Sequence, residues 1–239
     1  MQTMPGTVLA ADACNTNQVE LWVKVSYAIS GDTVVIQGQR VRLAGIQAPE
    51  LERKEKFNTR GEPLAKEAQT FLNKLLANND LEVGIEYDTT KLDAFNRTMA
   101  HLFFKDGTSV QQAMLKAGFA VARTTDDNIK YAQCYYQAEQ TARTGQFQLW
   151  DFLAKNPAVH YPLVKSSEIN REDGGFKIIQ GKIEKVSKSG TNYILNMDTT
   201  GVRVSKKIGI NLTTALCKNS RVKPSKRVAK LTFTKARCI

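Results

Sequence analysis

Short runs dominated by apolar residues mark the first legible stretches of the chain. Residues 22–29, "WVKVSYAI", and 33–36, "TVVI", are rich in β-branched and aromatic side chains, as strands require. In residues 40–46, "RVRLAGI", Arg40 and Arg42 share one face while Val41 and Leu43 share the other. Gln37-Gly38 between the last two segments supplies a permissive turn, so they form a hairpin. Pro49 then ends the pairing, because it has no N–H to donate to a ladder. The period changes in "GEPLAKEAQTFLNKLLANND", residues 61–80. There Leu64, Ala68, Phe71, Leu72, Leu75 and Leu76 recur at helical spacing, and Pro63 suits a first turn. Residues 81–88, "LEVGIEYD", and 97–104, "RTMAHLFF", are strand-like again. Three strands, a helix and two strands predict an α+β fold: a five-stranded OB-fold barrel, whose loops and one open face commonly bind oligonucleotides.

Two further helices make three flanking helices in all. One starts near Ser109 and ends at Gly118; the other runs from about Asp126 to Arg143 and stops at Gly145. Trp150 and Phe152 are expected to pin the chain back on the core. Residues 154–175 hold Pro157, Pro162 and Gly174-Gly175 and read as a linker. Beyond it, "FKIIQGKIEKV", "TNYILNMD" and "VRVSKKIGINL" alternate like three strands, with one more at Leu231–Thr234. The predicted layout is a leader or extended N-terminus over 1–21, a barrel domain over 22–153, a linker over 154–175 and a small β-rich module over 176–239.

Charge sharpens this division. The chain has 239 residues and a net charge of +11. Residues 1–167 are balanced, whereas residues 168–239 carry 16 Lys and Arg against 5 Asp and Glu. A basic block of that kind attracts polyanions with little sequence preference, or serves as a solvated surface. No run approaches the ~18 apolar residues of a membrane span. Cys14, Cys134, Cys217 and Cys238 include no CxxC pair, and His101 and His160 are far apart, which argues against zinc. Cys134 lies in a helical pattern and is expected to pack as a small apolar residue. Cys217 and Cys238 flank the most basic segment and could close a loop or stay as thiols. "VLAADA" ends in Ala11-Asp12-Ala13, the trimmed end of an export signal or part of a leader; the reading leans towards an exported protein.

The charged residues of the barrel suit phosphodiester chemistry. Cleavage needs neutralisation of the phosphate, an activated water, and a hold on the charge that grows on the phosphoryl oxygens. A hard cation on oxygen ligands, a carboxylate and guanidinium forks supply these in turn. Asp32 lies where the first strand turns into the second, Arg42 on the third strand, Gln47 and Glu50 just past it, and Arg97 at the start of the fifth. Each residue alone reads equally as a turn acid or a surface ion pair. His101 alternates with Arg97 and Met99, and reads first as a structural histidine.

"GDTVVIQGQRVRLAGIQAPE", "GEPLAKEAQTFLNKLL", "LDAFNRTMAHLFF", "MLKAGFAVA" and a closing "LW" together resemble the staphylococcal nuclease (thermonuclease) family over residues 22–152. The resemblance implies an OB barrel with flanking helices and calcium-dependent, endonuclease-type cleavage of DNA and RNA with little sequence preference. By position it implies Asp32 as a metal-binding aspartate, Arg42 and Arg97 as phosphate-binding arginines and Glu50 as the glutamate that activates water. It places Ala48 where only a backbone carbonyl serves the metal.

Departures from the pattern matter as much. Gln47 stands where the family has its second metal-binding aspartate, so calcium would be weakly bound. Losing one charge ~4 Å from a cation costs roughly 1 to 4 kcal/mol. Phe95 stands where a tyrosine contacts nucleotide, and Arg123 lies near the place of other nucleotide-binding tyrosines. Three readings remain open: a metal-dependent nuclease whose basic C-terminal module adds grip on DNA or RNA, a catalytically impaired nucleic-acid-binding module, and an interaction domain on the same scaffold.

Overall fold

A computed structural model describes residues 14, 18–52, 61–93, 95–123, 128–170 and 176–205. Two compact units emerge, Met1–Asp151 and Phe152–Ile239.

The first unit is built on a closed barrel of five strands in the order β1-β2-β3-β6-β5. These are β1 (Leu21–Ser30), β2 (Thr33–Ile36), β3 (Gln39–Leu43), β5 (Glu82–Glu86) and β6 (Thr98–Phe103). The predicted hairpin forms, with Thr33 opposite Arg42 and Val35 opposite Arg40. Closure comes from β3 and β6, which run parallel with Val41 opposite Thr98 and Arg42 opposite Met99. The segment predicted as one strand over 40–46 breaks in two. Gly45 takes a φ of 81°, a left-handed conformation that glycine adopts without penalty, and β4 (Ile46–Gln47) leaves the barrel. It pairs instead with β7 (Val121–Ala122), with Ile46 opposite Ala122 and Gln47 opposite Val121.

Helix α1 (Ala65–Ala77) buries Ala68, Leu72 and Leu76 of the predicted stripe together with Ala65, and half-buries Phe71 and Leu75; Leu64 and Pro63 fall just ahead of the helix rather than in its first turn. Helix α2 (Val110–Lys116) starts on Ser109, whose hydroxyl accepts the N–H of Gln112 at 3.2 Å. Helix α3 (Ala132–Thr144) begins six residues later than predicted. Asn128, inside the predicted helix, instead clamps the backbone of Thr90, accepting from its N–H at 2.8 Å and donating to its carbonyl at 2.9 Å. A short fourth helix, α4 (Leu149–Lys155), follows and buries Trp150 beneath the Arg143 guanidinium, 4.3 Å from the ring.

Cys134 corrects a sequence expectation. It is bridged to Cys14 across 120 residues of chain, rather than packing as a free apolar side chain. Nothing local to either cysteine signals the partner. His101 is the structural histidine expected: it is buried, its Nδ1 lies 2.9 Å from the Tyr135 hydroxyl, and its Nε2 lies 3.4 Å from Asp88 Oδ2.

The second unit contains a three-stranded antiparallel sheet, β10 (Lys185–Ser189), β11 (Asn192–Asn196) and β12 (Gly201–Ser205). The stretch read as a linker is not structureless: β8 (Leu163–Lys165) pairs in parallel with β9 (Ile178–Gln180). Val164, Ile179, Leu195, Met197, Val202 and Val204 form the unit's core. The first predicted strand here splits into β9 and β10 around Gly181. The strand predicted at Leu231–Thr234, together with Cys217 and Cys238, lies outside the described residues.

Candidate functional site

Asp32 sits in the tight turn between β1 and β2 and is buried. The turn is tight because Gly31 lets α1 approach it. A methyl group at residue 31 would lie 2.7 Å from the Cβ atoms of both Ala48 and Ala68. The Asp32 carboxylate is saturated with donors. Oδ1 accepts from the hydroxyls of Ser30 and Thr33 and from Arg42 Nη1, each at 3.0 Å. Oδ2 accepts from the Ala48 N–H and lies 3.0 Å from Arg42 Nη2. Arg42 is placed by register: it pairs with Thr33 across the hairpin, so it meets the acid beside Thr33 as a two-pronged fork.

Gln47 connects this pair to the rest of the cluster. Its side-chain oxygen accepts from Arg42 Nη2 at 2.8 Å and from Arg123 Nη1 at 2.5 Å. Its amide nitrogen donates to the Ala48 carbonyl at 2.9 Å and to Glu50 Oε1 at 3.2 Å. Arg123 is held by the β4–β7 ladder. It follows Ala122 directly, and its backbone N–H donates to the Gly45 carbonyl at 2.8 Å. Burial and the neighbouring Arg42 charge hold the Arg123 guanidinium below the ordinary arginine range, while Asp32 and Glu50 act against them and Arg97 adds to the lowering. Glu50 is half-buried, with its backbone N–H donating to the Glu62 carboxylate at 2.8 Å.

Arg97 stands apart from the hydrogen-bonded cluster. Among the described residues its side chain meets Asp93, Nε to Oδ2 at 2.6 Å, and lies 5.4 Å from the centre of the Phe95 ring. Asp93 also accepts the backbone N–H of Phe95 at 2.8 Å and of Arg97 at 3.0 Å, so one carboxylate shapes the loop. Phe95 is 80 % exposed, an unshielded aromatic face beside a cation.

The structure therefore brings Asp32, Arg42, Gln47, Ala48, Glu50 and Arg123 into direct contact and sets Arg97 and Phe95 in a neighbouring loop. Sequence reasoning missed Ser30 and Thr33 as donors to Asp32. It also missed Glu139, a buried acid on the apolar stripe of α3, whose carboxylate accepts the Ala122 N–H at 2.5 Å and pairs with Arg143. A charged residue interrupting the run of Tyr135, Ala138 and Ala142 was the available signal.

For a cation, the donors are all hard oxygens: the Asp32 carboxylate, the Gln47 amide oxygen, the Ala48 carbonyl and Glu50. Such a set suits calcium in kind. It is thin in charge, and among the described residues no group of three or more His, Cys, Asp or Glu side chains is placed to hold a metal.

Comparison with known proteins completes the picture. The family model described as "Staphylococcal nuclease homologue" matches residues 40–152. Thermonuclease of Staphylococcus intermedius is 34% identical over 131 residues, covering 53% of this chain and 74% of that protein. Endonuclease YncB of Bacillus subtilis is 32% identical over 134 residues, covering 54% and 61%. The SPbeta prophage-derived endonuclease YokF of the same organism is 31% identical, over 54% of this chain and 43% of its own length.

Proposed function

Because the chain belongs to the family of staphylococcal nuclease homologues, a family of nucleases, we propose that its barrel hydrolyses phosphodiester bonds of DNA or RNA with little sequence preference. The observation that carries this reading is the Gln47 hub, which binds two guanidiniums and the Glu50 carboxylate and, through Arg42, joins them to Asp32 in one hydrogen-bonded cluster.

In this reading Arg42 turns from Asp32 towards the phosphate, and its fork matches two phosphoryl oxygens as charge grows on them. Glu50 takes a proton from the attacking water; its tether to Gln47 sets the direction of Oε1. Arg97 approaches from the loop side as a further phosphate contact, and Phe95 offers a face on which a base stacks. Asp32, the Gln47 oxygen and the Ala48 carbonyl would hold calcium, which when bound supplies positive charge against the phosphate. Arg42 must leave Asp32 for that to happen, and Gln47 brings no charge, so the ion binds weakly.

Weak affinity matters less where calcium is plentiful. The Cys14–Cys134 bridge supports an oxidising, exported setting, where calcium modules work at affinities of about 10⁻⁴ to 10⁻³ M. The basic residues 168–239 add non-specific grip on the polyanion.

The test is hydrolysis of single-stranded DNA at millimolar calcium, with and without chelator, by the full chain and by Glu50→Gln. Hydrolysis that chelator removes is expected, with Glu50→Gln slower by about 10²-fold or more. A variant as fast as the parent would remove Glu50 from the mechanism. A second reading, a nucleic-acid-binding module of impaired catalysis, is favoured by the saturated Asp32 carboxylate; it predicts DNA binding with no hydrolysis at any calcium concentration.

A further inference from the structure

Gln47 and Arg123 have to be considered as a pair. One amide oxygen accepts from two guanidiniums, Arg42 and Arg123, that repel each other. Within the hydrogen-bonded cluster stand two guanidiniums, those of Arg42 and Arg123, against two carboxylates, those of Asp32 and Glu50, while Arg97 is paired with Asp93. The cluster is thus balanced in charge before any ion arrives. A carboxylate at position 47 would tip it to a negative excess; the amide keeps the two guanidiniums in place without adding one. Arg123 is also held by rigid neighbours rather than by a free loop. The β4–β7 ladder fixes its backbone on one side, and Glu139 fixes the N–H of Ala122 immediately before it.

We infer that Arg123 is a built-in cation of this site, one that holds the phosphodiester together with Arg42 whether or not a divalent ion is bound. The inference rests on the nuclease reading for its choice of ligand. It goes further in making ground-state binding of the phosphate independent of calcium. The guanidinium supplies fixed positive charge and directed donors at the oxygen where a hydrated ion would otherwise have to settle.

The experiment uses the full chain in excess chelator. The probe is the dinucleoside monophosphate TpT, whose single charge gives the basic residues 168–239 little purchase. Binding is followed by NMR of the arginine side-chain N–H groups and of the barrel amides. The parent is expected to bind TpT in chelator. Arg123→Gln should weaken it about ten- to a hundredfold, and Arg123→Lys, which keeps the charge but loses the fork, should fall between them. Gln47→Asp should weaken binding in chelator, as the new acid gives the cluster a negative excess. The inference is overturned if the parent binds TpT only when calcium is restored. It is equally overturned if Arg123→Gln, or Arg123→Lys should the first variant not fold, binds as tightly as the parent. Hydrolysis of single-stranded DNA at millimolar calcium is measured alongside. Cleavage together with chelator-sensitive binding overturns the inference alone. Chelator-resistant, Arg123-dependent binding without cleavage upholds it and removes the hydrolytic reading.

Discussion

A single hydrogen-bonded pair, Asp88 just past β5 and His101 on β6, shows how residue-scale chemistry sets pH behaviour. Asp88 is pushed upward by burial, but the hydrogen bond from His101 and the N–H groups of Thr89 and Lys130 outweigh it and bring its pKa down to about 2. A carboxylate with a lowered folded pKa stabilises the fold above its unfolded value of about 3.9 and loses that contribution as pH falls towards 2. The parent should therefore be more stable than Asp88→Asn at pH 6, with the gap closing between about pH 4 and pH 2. Urea melts of both proteins across that range measure it; a gap that does not vary with pH would show that Asp88 holds its place by shape alone. Side-chain identity was the readable part at this scale. Asp32, Arg42 and Glu50 announce themselves as charges at strand ends. What could not be read was who spends time with whom: the bond from Gln47 to Arg123 joins residues 76 apart, and the Arg97–Asp93 pair needed a loop whose shape no periodicity describes.

Elements place these residues, and their tolerances are narrow. The β1–β2 turn carries Asp32 only because α1 packs directly over Gly31. Gly31→Ala must push both Ala48 and Ala68 aside by several tenths of an ångström, an overpacking that costs about 1–3 kcal/mol. The expected result is a lower urea midpoint together with reduced hydrolysis, since Asp32 and Ala48 both shift; unchanged melting would show that the turn can relax. Strand β1 and the buried stripe of α1 were legible because burial on one face imposes a period of 2 or 3.6, while β2, β5 and β6, buried along almost their whole length, were legible as short apolar runs. The late start of α3 was not, because Asn128 prefers a partner on Thr90, 38 residues away, to a place in a helix. The splitting of the third predicted strand at Gly45 was half legible. Glycine marked a weak point, but only the Tyr135 ring, 2.6 Å from where a side chain would begin, shows why nothing larger fits there.

The whole molecule is governed by one long covalent loop and one lopsided charge distribution. Closing a loop of 120 residues restricts the unfolded chain by about 4–5 kcal/mol in the chain-entropy account. Reduction, or Cys134→Ser, should lower the melting temperature by roughly 10 °C. Calorimetry with and without reductant decides it, and equal melting temperatures would mean that the bridge does not form in solution. The pairing was invisible beforehand because it depends on where α3 docks, and four cysteines allow several partnerships. The charge division, by contrast, was plain from counting, since a sum over residues needs no coordinates.

The same bridge has a consequence for damage. Cys14 stands near one end of the barrel sequence and Cys134 near the other, so nearly every connection between barrel elements lies inside the ring they close. A protease that cuts one backbone bond anywhere between them severs the polypeptide but releases no fragment. The nicked protein would migrate as one intact species until a thiol is added, and its pieces, still leashed together, could go on working as a barrel.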